Sequence, residues 1–461
     1  MPLSNLAVRD IETLVHPYTN LASFRESGPL VLERGQGVFV YDSEGRPYLE
    51  GMAGLWCTAL GYGNEELIEA AVAQMRKLPF AHLFTGKSHD PAIELAERLK
   101  EIAPAPTSKV FFASSGSEAN DTQIKLVWYM NNALGRPRKK KIVSRIKAYH
   151  GVTVAAASLT GLLPNHRDFD LPIPGIVHTS CPHHYRFARD GESEREFAKR
   201  LAVELEELIL REDPETVAAF IAEPVMGAGG VIVPPQGYFP EVTEVCRRYD
   251  LYMISDEVIC GFGRLGRMFG CTALDFAPHS ISIAKALTSA YVPLAAVTVP
   301  EAMYQAMLDE SRKIGTFGHG FTYSGHPVAA AVALKALDIY ARERIAEAAA
   351  RKAPQFQARL AALGGHALVG EARGLGMIGA VELVADKTEK RSFAAKAAVA
   401  ARAVRFAEEE GLIVRFIAGD IVSLCPPLII SPAEIDELFD RLGRALDRTL
   451  DWVTRERLRD A

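Results

Sequence analysis

Two kinds of hydrophobic pattern divide this chain. Between about residues 105 and 300, short apolar runs without alternation recur between longer stretches whose apolar residues repeat at helical spacing. The runs at 110–112, 142–144, 217–222, 251–255 and 281–283 are brief and continuous, the pattern of strands buried on both faces. In one intervening stretch Phe197, Leu201, Leu205 and Leu208 fall on a single helix face with charges on the other. Such alternation predicts an α/β fold: a mostly parallel sheet covered by helices. Past residue 328 the texture changes to Ala-rich helix and short strands at 379–383, 412–415 and 421–424, while hairpin-like signals stand early, at 38–41 and Tyr48. A smaller α+β domain is expected from both chain ends, 1–55 and 328–461, beside a large domain at 56–327.

Composition narrows the partners. At 461 residues the chain exceeds what one core usually supports, consistent with two domains. Its 52 basic and 57 acidic residues leave a net charge of −5, which gives no reason to expect nucleic acid or an anionic membrane. The basic run Arg138-Lys139-Lys140-Lys141 reads as a solvated loop before a strand. No uncharged stretch approaches the roughly 18 apolar residues of a membrane span. Arg9, Asp10, Glu12 and Pro17 argue against a secretory leader, and six scattered cysteines without a C-x-x-C pair read as reduced thiols. The cytoplasm is the expected compartment. Cys181-Pro182-His183-His184 lacks a second ligand pair and reads as a polar loop, so no metal is expected.

Ligands of an open parallel sheet gather at the carboxyl ends of its strands. After the strand at 110–112 comes Ser114-Ser115-Gly116-Ser117-Glu118, in which Ser115 and Glu118 form a capping box that starts a helix. Gly116 admits close approach, and the free N–H groups favour a phosphate, although alone the motif reads better as a plain cap. After the strand at 251–255 stands Asp256, and after that at 281–283 stands Lys285, whose amine becomes nucleophilic in a desolvated pocket. Each alone could be a plain ion-pair member. A phosphate cup, a carboxylate and a lysine at three strand ends together match what pyridoxal phosphate needs: a grip on the phosphate, a partner for the ring nitrogen and an amine for the aldehyde. A competing dinucleotide reading rests on Gly261-Phe262-Gly263-Arg264-Leu265-Gly266, but no helix is expected to open at Gly266.

These motifs resemble those of the ω-aminotransferases, class III enzymes of pyridoxal-phosphate fold type I. Ser115-Gly116-Ser117-Glu118-Ala119-Asn120, Tyr149-His150-Gly151, Glu223-Pro224, Asp256-Glu257-Val258, Lys285 and Gly320-Phe321-Thr322-Tyr323-Ser324-Gly325-His326-Pro327 recur in that family's order over nearly the whole chain. The resemblance implies that Ser115, Gly116 and Ser117 hold the phosphate, with Thr322 reaching it from the other subunit. It implies that Tyr149 stacks on the cofactor ring with His150 nearby, that Val258 packs the opposite face, and that Glu223 supports Asp256. It further implies a homodimer with sites at the interface, open to pairing into a tetramer. An aminomutase or decarboxylase could use the same Lys285 and Asp256.

Departures from the family pattern narrow the substrates to an amine donor and a keto-acid acceptor. Glutamate- and ornithine-using members resemble one another in an acid and an arginine at two places that here hold Ala228 and Ser423. Arg415 stands eight residues before Ser423 instead, on a loop expected between Gly411 and Gly419. This arrangement resembles the amine–pyruvate subgroup, which includes β-alanine–, putrescine– and taurine–pyruvate enzymes. As in (S)-selective amine transaminases, Trp56 and Phe84 are expected to wall the substrate pocket, core packing being the alternative for both.

Overall fold

Strands buried at every position build the centre of the molecule. The computed structural model describes residues 4–459, so residues 1–3 and 460–461, the outermost tips of the expected domain segments, lie outside the described residues. Its seven-stranded sheet has the order Lys109–Ala113, Ala295–Val299, Ser280–Ile283, Tyr252–Asp256, Val217–Ala222, Lys141–Arg145, Ile176–Thr179. Only Ala295–Val299 runs against its neighbours; the pairs on the other side of it are parallel. All positions of Val217–Ala222 and Tyr252–Asp256 are buried, which is why those strands read as unbroken apolar runs. Phe197, Leu201, Leu205 and Leu208 form the buried face of the helix Glu194–Arg211, started by a full capping box between Ser193 and Glu196.

Two four-stranded sheets lie outside this one. The first joins Leu32–Gln36, Phe39–Asp42 and Pro47–Glu50 to Leu412–Ile413, so the early chain and the late chain share hydrogen bonds, with Leu412 opposite Leu49 and Ile413 opposite Glu50. The second has the order Val369–Leu375, Ile378–Leu383, Ile421–Leu424, Arg415–Ile417. The single strand expected at 412–415 is therefore two strands in two sheets, with Val414 at the crossing. Arg415 does not sit on a free loop: it pairs with Ser423, whose hydroxyl donates to the Arg415 carbonyl at 3.0 Å.

The basic run is paired with acids, with Arg138 exposed to solvent as expected and Lys139 buried. Arg138 pairs with Asp213 at 3.1 Å, Lys139 with Asp250 at 3.5 Å and Lys141 with Glu212 at 2.8 Å. Among the described residues no helix is long and apolar enough to cross a membrane.

Candidate active site

The carboxyl ends of the parallel strands converge on one cavity of about 110 Å³, lined among others by Gly116, Ser117, Tyr149, Glu223, Asp256, Val258 and Lys285. At one wall the 18-residue helix Gly116–Ala133 begins. Ser115 caps it from outside the cavity, its hydroxyl accepting the Glu118 N–H at 3.2 Å. The capping box is only half formed, because the Glu118 carboxylate accepts from Ser114 at 2.7 Å rather than from Ser115. The first-turn N–H groups of a helix have no partner within it, and the first two residues of this one, Gly116 and Ser117, line the cavity. A side chain at Gly116 would come within 3.1 Å of Val258, and one at Gly151 within 2.5 Å of the Ser117 hydroxyl. Both glycines keep space open beside the helix end.

Asp256, 3% exposed, ends its strand under a set of donors. One oxygen accepts from His150 Nδ1 at 2.7 Å and Asn120 Nδ2 at 2.8 Å, the other from the Val258 N–H at 3.1 Å. Glu223 accepts the Tyr149 and Gly227 N–H groups, each at 3.0 Å, and burial pushes its carboxyl above the ordinary range. Its carbonyl takes a 2.6 Å bond from Arg145, a cation 0% exposed and set between Tyr238 and Phe239. Glu257 turns away, accepting the Gly270 and Cys271 N–H groups at 2.7 Å each.

Lys285 follows its strand with a left-handed φ of 48°, a conformation kept only where the surroundings fix it. It retains partial access through the cavity, yet desolvation of its amine lowers the pKa despite opposing pulls from Cys57, Asp256 and Glu223. Lowered basicity leaves more free amine, the reactive form.

The remaining expected site residues are not part of this lining. Arg415 is half-buried, and burial depresses its pKa against opposing pulls from Tyr149 and Tyr18. Trp56, 2% exposed, packs in an apolar cluster with Met52, Ile259 and Cys425, and Ile259 also lines the cavity. Phe84 and Thr322 are exposed and away from the lining; a Cβ at Gly320 would lie 3.1 Å from the Phe84 ring.

Tyr18, Asn120 and Arg145 belong to the site without having been expected there. Tyr18 sets its ring edge-on to Tyr149, centroids 6.4 Å apart, and accepts from Asn165 at 2.5 Å. Only Asn120 left a signal, as the last residue of the motif that starts the helix. His183 Nε2 meets Glu371 at 2.8 Å, and Arg373 bridges Glu371 and Glu382 at 2.5 and 2.7 Å, so an arginine is paired with both acids beside this histidine. The Gly261-to-Gly266 segment is turn without a helix at Gly266, so the dinucleotide reading loses its phosphate-binding helix.

The residues fit pyridoxal phosphate. A helix end kept clear by Gly116 and Gly151 suits a phosphate dianion, a donor-fixed carboxylate suits a protonated ring nitrogen, and a desolvated lysine suits an aldehyde. Comparison with known proteins agrees. Residues 22–446 match the family described as "Aminotransferase class-III". A probable γ-aminobutyrate transaminase 3, mitochondrial, from Oryza sativa subsp. indica is 49% identical over 441 residues, covering 95% of this chain and 86% of the relative. A thermostable ω-transaminase mutant from Pseudomonas jessenii superposes with a TM-score of 0.96 at 54% identity, covering 98% and 100%. The Pseudomonas jessenii ω-transaminase in complex with PMP gives 0.96 at 53% identity, covering 98% and 99%. On the strength of a match that spans most of its length and of relatives near half identity, this chain belongs to the class III aminotransferases, which use pyridoxal phosphate.

Proposed function

We propose that the chain moves an amino group from a primary amine or ω-amino acid to pyruvate, giving alanine, by a two-step ping-pong exchange. The observation that carries this is Arg415: a half-buried guanidinium near Tyr149 and Tyr18, with no carboxylate acting on it among the described residues. A cation left so waits for a carboxylate from the substrate. Ala228 and Ser423 at the places where glutamate-using members resemble one another in an acid and an arginine argue in the same direction.

The bound cofactor would supply an aldehyde to take up the amine and a protonated ring to receive the electrons left by the departing α-proton. Gly116, Ser117 and Ser115 would hold the phosphate, with Thr322 reaching it from the other subunit. Asp256, oriented by His150 and Asn120, would keep the proton on the ring nitrogen. Glu223 would fix the Tyr149 main chain so that Tyr149 covers one ring face while Val258 covers the other. Lys285 would take the α-proton and deliver it to the cofactor's former aldehyde carbon, its lowered pKa leaving the amine free to act as base. Trp56 and Phe84 would wall the donor side. An ω-transaminase has been engineered for bulky amines by changing a tryptophan, a phenylalanine and an arginine, the residue types of Trp56, Phe84 and Arg415.

We further propose a homodimer, supported by the exposed Phe84 and Thr322, and a cytoplasmic location, against which stands the mitochondrial designation of the rice relative. Loading the enzyme with an amine donor and mixing it with one keto acid at a time tests the function. Pyruvate should be converted faster than 2-oxoglutarate; a preference for the dicarboxylic acid would overturn the pyruvate reading. γ-Aminobutyrate belongs in the donor panel because relatives are named for it.

A further inference from the structure

Beneath the turn that carries Trp56 lies a buried acid with no part in the steps above. Glu50 ends the strand Pro47–Glu50 and is 2% exposed. Its carboxylate accepts the Met52 N–H at 2.9 Å, the Tyr62 hydroxyl at 3.1 Å and the Gly54 N–H. The turn above it is strained, with left-handed φ values of 47° at Ala53, 64° at Gly54 and 65° at Trp56. Left-handed backbone at alanine and tryptophan persists only where the surroundings over-determine it. Here the fixing groups are the Glu50 oxygens on one side and, on the other, the Ala53 carbonyl, which accepts from the Cys57 and Thr58 N–H groups at 2.8 and 3.0 Å.

We propose that Glu50 is a positioning residue for the donor side of the pocket: by gathering the Met52 and Gly54 N–H groups and the Tyr62 hydroxyl, it sets the left-handed turn that presents Trp56. The inference rests on the reading of Trp56 as a pocket wall. Burial pushes the Glu50 carboxyl up to about 7. The titratable groups facing it are Tyr62 beyond the turn, Cys57 within it and Cys425 from the strand end opposite, all raised by burial. Glu50 is thus the member that changes charge near neutrality. The ionised form accepts all three donors, and protonation converts one acceptor oxygen into a donor.

Glu50→Gln keeps the size but sets an amide NH₂ against donors. Losing one hydrogen bond to a charged group should raise KM for an arylalkyl amine about tenfold, while KM for pyruvate rises by clearly less and cofactor absorbance stays unchanged. Tyr62→Phe should move the donor KM in the same direction by less, and serves if Glu50→Gln folds poorly. The chain has three tryptophans, so subtracting the emission of a Trp56→Phe variant isolates Trp56. That emission should titrate near neutral pH in the parent and not in Glu50→Gln. A flat titration in the parent overturns the proposal, as does a loss in pyruvate KM equal to the loss in donor KM. If Trp56→Phe leaves the donor KM unchanged while the emission still tracks Glu50, the pocket-wall reading fails and the turn-setting role stands.

Discussion

Arg415→Ala is the sharpest test of acceptor recognition. The guanidinium is only half-buried, so the free enzyme tolerates it, yet desolvation already lowers its pKa and no carboxylate acts on it among the described residues. Truncating one partner of a buried, hydrogen-bonded charge pair costs about 2–5 kcal/mol. Partial solvent screening places Arg415 at the lower end of that range. At about 1.4 kcal/mol per decade, kcat/KM for pyruvate should fall on the order of 30- to 300-fold. An aldehyde acceptor of similar size offers no carboxylate and should lose less than about threefold. Arg415→Lys, which keeps the charge but not the fork, should fall between. Single-turnover rates of amine-loaded enzyme with each acceptor measure both quantities. Equal losses for pyruvate and aldehyde would refute the reasoning and make Arg415 a structural residue. Because the Arg415 carbonyl is pinned by Ser423, any accommodation of an uncharged group must come from side-chain rotation, not from motion of a free loop.

Three further outcomes are expected. Lys285→Ala should bind pyridoxamine phosphate, seen by absorbance after gel filtration, yet turn over nothing above what free cofactor gives. Thr322→Ala should release cofactor faster from a species that light scattering reports as at least a dimer, costing about 1.5–3 kcal/mol for a lost bond to a charged group; a fully active monomer would contradict it. Burial pushes the Glu371 carboxyl up, but His183 and Arg373 outweigh this and hold it below its ordinary 4.5. A depressed acid lends stability that is full above its unfolded value and lost as pH falls through the folded one, so melting temperature should drop as pH falls below about 4.5. Glu371→Gln should flatten that part of the profile, and an unchanged profile would show that the cluster with Arg373 gives no net stabilisation.

The strands that carry Asp256 and Lys285 were legible because strands buried on both faces must be apolar throughout. Ala295–Val299 and Ile176–Thr179 went unread, since short apolar runs do not separate strand from buried helix without tertiary context. The break at Val414 was hidden for another reason: residues 412–417 are locally one extended run, and only the partners Leu49 and Ser423 assign its halves to different sheets. Asp256 and Lys285 could be read as chemistry because charge at the end of an apolar strand demands an explanation. Tyr18 and Arg145 could not. The first lies in an irregular segment with a left-handed φ of 51°, and the second is an arginine at the end of a strand whose burial only the fold discloses. Asn120 was visible as part of a motif, but its grip on Asp256 spans 136 positions of sequence.

The crossing at Val414 has a consequence for anyone reshaping this pocket. The Gly51 N–H bonds the Ile413 carbonyl at 2.8 Å and the Cys425 N–H bonds the Gly51 carbonyl at 2.7 Å, so the segment that leads to Trp56 is laced to those that lead to Arg415 and away from Ser423. The backbones behind the two residues form one lever rather than two. A substitution that relaxes position 56 should shift the seat of position 415, and the converse. Free energies of paired changes at these sites should therefore fail to sum, departing from additivity by about 0.5–3 kcal/mol, the range for residues coupled through shared backbone. Libraries that vary positions 56 and 415 one at a time would then misrank the best combinations, which are reached by varying both together.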